Sequence, residues 1–105
     1  MLFISLLSTP SWSATMDDLV ERKGLYYKQF TDVPFTGEVT GDKQGSFKNG
    51  KKEGTWVRYW NNGQLMYKGN FKNGQFEGYW SDYNYDGTVY KEWTGTYKDG
   101  VKISD

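Results

Sequence analysis

Two glutamates and one short acidic loop are the side chains whose type and spacing could do chemistry in this sequence. Glu53 and Glu77 each stand directly before a glycine, in identical local contexts. A carboxyl pair held about 5–9.5 Å apart can hydrolyse a glycosidic bond, one group as acid and the other as nucleophile or base. A residue that recurs with a repeat is better explained by the repeat itself, for instance by pairing with Lys48, Lys51 or Lys72 across a hairpin. The segment Asp82-Tyr83-Asn84-Tyr85-Asp86-Gly87 matches the opening of a calcium loop, whose oxygens alternate toward one ion. The twelfth position of such a loop needs a bidentate acid; here it is Trp93, with Glu92 one residue early. A hairpin turn explains Gly87 as well, since Gly63 occupies the same place one repeat earlier. The 105 residues include no His and no Cys, which removes the usual general base, thiolate chemistry, disulfides and the commonest metal ligands. The reading is therefore a non-enzymatic protein with no catalytic residue, no metal and no cofactor.

Charge points to binding instead. Lys plus Arg and Asp plus Glu number 13 each, so no global field attracts nucleic acid, and none is expected as a partner. Residues 43–72 nevertheless carry seven basic side chains against Glu53 alone, while the segments on either side are net acidic. Lys48, Lys51, Lys52 and Arg58 lie among Trp56, Tyr59, Trp60 and Tyr67, and these eight form the candidate partner-binding set. A protein partner ranks first. An anionic phospholipid would suit basic side chains with aromatic rings at the headgroup boundary, and a glycan would suit an exposed row of rings. The alternative is a solvated hairpin edge on which lysines discourage edge-to-edge pairing.

The elements that must position these residues begin after a leader. Leu2 to Leu7 is an apolar run, and Ser11 and Ser13 supply small residues at −3 and −1 of a cut before Ala14, although no basic residue precedes the run. Residues 1–13 thus read as a signal peptide with a truncated n-region, implying a periplasmic or secreted protein; an N-terminal strand or tail, with a cytoplasmic location, is the alternative. Beyond it, 18 aromatic residues outnumber the aliphatic ones, so the core must be built of rings. Residues 16–22 could form one short helical turn with Asp17 and Asp18 at its N-terminus.

The remainder is a repeat. Residues 45–68 align with 69–94 at a 24-residue shift, with identities at Gly45/Gly69, Phe47/Phe71, Lys48/Lys72, Asn49/Asn73, Gly50/Gly74, Glu53/Glu77, Gly54/Gly78, Trp56/Trp80, Tyr59/Tyr83 and Gly63/Gly87. A third, partial unit covers 95–105 after a two-residue insertion, and residues 14–44 form a cap with a degenerate unit that has Asp32-Val33-Pro34 in place of an Asn-Gly turn. Five Asx-Gly pairs, from Asn49-Gly50 to Asp99-Gly100, separate alternating runs and predict successive hairpins. Strands are expected near 24–30, 36–41, 44–48, 53–60, 64–72, 76–84, 87–98 and 101–104. The fold class is all-β: an antiparallel meander of repeated β-hairpins in a single-layer twisted sheet. Trp56 and Tyr59, three apart, should point to opposite faces, so that both faces carry rings, with Gly54 and Gly78 leaving room for a neighbouring ring and Tyr97 partly exposed near the open end.

The pattern Gly-x-Phe/Tyr-Lys-Asn/Asp-Gly-x-x-Glu-Gly-x-Trp-x-x-Tyr-x-x-x-Gly at this period resembles the MORN repeat in its shorter bacterial variant. The resemblance covers residues 45–100 and implies a ribbon of β-hairpins acting as a scaffold for proteins or, in some members, membrane phospholipids. Some bacterial proteins with this variant are labelled as the antitoxin of a toxin–antitoxin pair, so it also implies an antitoxin-like inhibitor as an alternative.

Overall fold

The computed structural model describes residues 13–105. The leader expected over 1–13 therefore lies, except for Ser13, outside the described residues. Ten strands follow in order: β1 (Ser13–Ala14), β2 (Leu19–Arg22), β3 (Leu25–Lys28), β4 (Gly37–Val39), β5 (Lys43–Lys48), β6 (Lys51–Tyr59), β7 (Leu65–Lys72), β8 (Gln75–Asp82), β9 (Gly95–Lys98) and β10 (Val101–Ser104). Eight of them form one sheet in the order β1-β4-β5-β6-β7-β8-β9-β10, and β2 and β3 pair separately. Every pairing is antiparallel except β1 with β4. The chain is thus an all-β meander of hairpins, as the turn spacing predicts.

The turns are of two kinds, one on each long edge of the ribbon. At Asn49-Gly50, Asn73-Gly74 and Asp99-Gly100 both residues have positive φ, the two-residue geometry that matches strand twist. Lys23-Gly24 adopts the same pair of angles in the cap, although lysine gives no sequence signal for it. At Asn62-Gly63 and Asp86-Gly87 only the glycine is positive, and the Asx side chain accepts from the backbone N–H two residues on: Gln64 to Asn62 at 3.0 Å and Thr88 to Asp86 at 3.0 Å. The first edge is formed by turns 23–24, 49–50, 73–74 and 99–100, and the second by 60–64 and 83–90.

The repeat is held by three devices that recur from unit to unit. Trp56 lies flat over Gly45 and Trp80 over Gly69, so that a methyl group added at either glycine would fall inside an indole ring. Each indole N–H donates to the next carbonyl of the strand beneath, Ser46 and Asn70, both at 3.0 Å. Gly54 and Gly78, with φ of +77° and +76°, bend the strand that carries each Trp, and three residues there span the gap opposite one. These glycines have open space beside them, so they serve a strand bend; room for the ring is made by Gly45 and Gly69. Finally, Glu53 Oε1 accepts from Asn73 N at 3.1 Å and Glu77 Oε1 from Asp99 N at 3.2 Å. The repeated glutamate pins the next turn, where pairing with a lysine was expected, and Thr36 Oγ1 does the same for Asn49 N in the cap.

The core is a single file of rings on one face. Tyr26 meets Phe47, Phe47 meets Trp56, Trp56 meets Phe71, Phe71 meets Trp80 and Phe76, and Phe76 meets Tyr97, with ring centroids 4.9–6.1 Å apart and mostly edge to face. Strand alternation places Ser46, Lys48, Lys51, Thr55, Asn70, Lys72 and Lys98 on the opposite, polar face. Rings on both faces were expected; the ladder occupies one face, while Tyr79, next to Trp80 in β8, lies 59 % exposed on the other. The cap continues the ladder through Phe35 and Tyr26, with Tyr26 N donating to Gly50 O at 2.8 Å. Its residues 16–22 give a 3-10 turn over Met16–Asp18 and then β2, because Leu19 to Arg22 pair with β3 instead of winding further. The strand expected over 87–98 also shortens to β9: residues 83–94 form a turn and a second bend.

Candidate functional site

The eight candidate residues do not form one surface. Lys48 and Lys51 pair across the first edge, directly beside the Asn49-Gly50 turn, and are exposed on the polar face. Lys52 points to the other face, where its ammonium lies 5.0 Å from the Trp56 ring centre and 5.1 Å from that of Phe71. Burial, followed by the nearby Lys43 charge, lowers its pKa below the ordinary lysine value. Trp56 itself is 0 % exposed, so its ring is core and has no surface to offer a partner. The expected aromatic binding face is therefore closed, its rings covering one another.

Arg58 and Tyr67 stand side by side in register near the second edge, with Lys43 and Asp82 opposite them on the flanking strands. Arg58 Nε is 3.7 Å from Asp42 Oδ2, an ion pair with no hydrogen bond. Burial raises the pKa of both the Tyr67 hydroxyl and the Asp82 carboxyl. Tyr59 and Trp60 lie further along, at the edge itself. Trp60 donates from Nε1 to Tyr83 O at 3.1 Å and meets the Tyr85 ring edge-on at 5.7 Å. Asn62 donates to Tyr85 O at 3.1 Å, so turn 60–64 is stacked on loop 83–90.

The loop 83–94 carries what the sequence reading missed. Tyr85, Val89, Tyr90 and Trp93 are 53 %, 49 %, 38 % and 50 % exposed, the last three on a segment expected to be strand. The two-residue insertion before Gly95 was the available signal, because residues added between strands of fixed register must leave the sheet. The loop is tied down by Tyr90 N to Asp82 O at 2.8 Å, by Lys102 Nζ to Lys91 O at 3.0 Å and by the Tyr97 hydroxyl to Trp93 O at 2.8 Å. Tyr97, expected to be partly exposed, is 5 % exposed for this reason.

Both acidic constellations are engaged in turns. Glu53 and Glu77 each hold a turn N–H. Asp86 accepts from both the backbone and hydroxyl of Thr88, which holds its carboxyl below the ordinary range, and Asn84 donates to the same hydroxyl at 2.9 Å. Among the described residues no group of three or more acidic side chains is gathered as a metal site. No helix among them is long and apolar enough to cross a membrane.

No protein-family model, no curated protein and no solved structure matches the chain.

Proposed function

We propose that this chain is a non-catalytic MORN-type β-repeat scaffold that binds a protein partner through the second edge of its ribbon. The observation that carries the reading is that the rings of Tyr85, Tyr90 and Trp93 are all exposed along one loop, which is tied down by the hydrogen bonds of Asp82, Lys102 and Tyr97. Aromatic residues fixed in advance bind with little loss of conformational freedom, and Tyr and Trp dominate the energetic centres of protein interfaces. The regular spacing of turn, glycine and tryptophan supports the MORN assignment of the array. Reading residues 1–13 as a leader places the partner in the cell envelope, which the intact mass of the protein from its own cell checks: retention of Phe3 and Ile4 would move it to the cytoplasm.

The docking edge is tested by affinity capture from that cell with the unaltered protein and a Tyr90→Ser/Trp93→Ser variant. One stoichiometric protein should be retained by the first and lost by the second, with circular dichroism showing both folded. Equal retention would remove the edge from the interface.

A further inference from the structure

The first edge of the ribbon carries a separate feature. Lys48, Lys51, Lys72 and Lys98 flank successive two-residue turns, share the polar face and are all exposed. None of the four has an ion-pair partner among the described residues; the ion pairs there belong to Arg22, Arg58 and Lys102. The neighbouring glutamates, Glu53 and Glu77, are engaged with turn N–H groups. Because each unit contributes two strands, successive turns stand about 9.5 Å apart, and the lysines follow one another along the edge at that step.

We infer that this row binds an extended acidic polysaccharide carrying one anionic group per disaccharide. Two sugars of an extended β-linked chain advance by nearly the distance between adjacent turns, so a carboxylate or sulfate on every second sugar meets Lys48, Lys72 and Lys98 in sequence. Between the lysines lie exposed amides, Asn73 and Gln75, which can donate to and accept from sugar hydroxyls. A bilayer fits the row poorly, since a single exposed ring, Tyr79, shares its face among the strand residues: Trp56 is buried and Tyr59 and Trp60 lie at the far end of β6. Single-stranded nucleic acid needs successive rings on which bases stack, and beside the row stands Tyr79 alone, at one end.

The test is fluorescence anisotropy with a labelled hyaluronan decasaccharide, which carries one carboxylate per disaccharide. Binding should weaken with added salt, since exposed charges are screened. The triple variant Lys48→Gln/Lys72→Gln/Lys98→Gln should bind about tenfold more weakly, the loss of three exposed ion pairs. A control with the same charge change, Lys43→Gln/Lys68→Gln/Lys91→Gln, should bind nearly as the unaltered protein does. All three should melt alike. Absence of binding at low salt, equal losses in the two triples, or equal row-dependent binding of polyuridine or phosphatidylserine vesicles would overturn the inference.

Discussion

A glycine that makes room for a ring and a glycine that bends a strand should fail differently when a methyl group is added. Gly69→Ala forces Trp80 off its seat and breaks the indole bond to Asn70 O, so it should destabilise the protein by about 1–3 kcal/mol or more and shift tryptophan emission to the red. Gly78→Ala meets no neighbour and costs only its backbone conformation at φ +76°, about 1–2 kcal/mol, with emission unchanged. Urea unfolding with emission spectra separates them; a red shift in both would show that the strand bend also seats the ring. The two aspartates of loop 82–86 should likewise diverge. Burial raises Asp82, so its carboxyl holds its proton more tightly folded than unfolded, and the associated stability is complete below the unfolded pKa and lost as pH rises through the folded one. The Thr88 hydroxyl lowers Asp86, whose stabilisation is present above the unfolded pKa and lost as pH falls through the folded one. Carboxyl NMR titration should find Asp82 above and Asp86 below the usual aspartate value; the reverse order would contradict the packing described.

Between strands, the ladder has a non-aromatic rung at Lys52. Lys52 and Phe76 occupy the same position in successive units, and Phe76 stacks on Trp80 at 4.0 Å with 14° between the planes, where Lys52 lays its ammonium over Trp56. Lys52→Phe should complete the ladder and raise stability by about 1 kcal/mol, the value of a ring pair beyond its buried area. A lower melting temperature would instead assign the larger contribution to the cation over the rings. Hairpins of this kind are legible in sequence because Asx-Gly fixes both the place and the hand of a turn, so β5 to β8 fall within two residues of their expected ends. Lys23-Gly24 carries no such signature, and Leu19-Val20 is too short an apolar pair to distinguish a helical turn from the strand that forms there. Past the Asp86-Gly87 turn, Val89 and Trp93 fall on one side much as in a strand, and only the insertion betrays residues 88–94 as loop. The candidate site was scattered for a related reason: alternation assigns a face, but whether Trp56 is surface or core depends on Gly45, eleven residues earlier and on another strand.

At the scale of the whole molecule, each unit buries its rings only against its neighbours, so stability should pass along the ribbon as a chain of interfaces. Trp56 touches Phe47 on the cap side and Phe71 on the other, whereas among ring contacts Tyr97 meets Phe76 alone. Both are buried, so truncating either to alanine removes a large side chain worth about 3–5 kcal/mol, a substantial share of the 5–15 kcal/mol typical of a domain. The size of the loss is thus a weaker discriminator than its location. Trp56→Ala removes the rung joining the cap and β5 to the later units, so neither half retains a covered face and unfolding should begin at lower denaturant throughout the sheet. Tyr97→Ala uncovers the end and also releases Trp93 O, so β9, β10 and loop 83–94 should fray first while β5 to β7 stay closed. Native-state hydrogen exchange decides this by strand: Tyr97→Ala should lower protection in 95–104 with little change in 43–72, and Trp56→Ala should lower both. Uniform loss from Tyr97→Ala would mean that the ribbon folds as one cooperative block, its aromatic ladder too tightly coupled for the end to open alone.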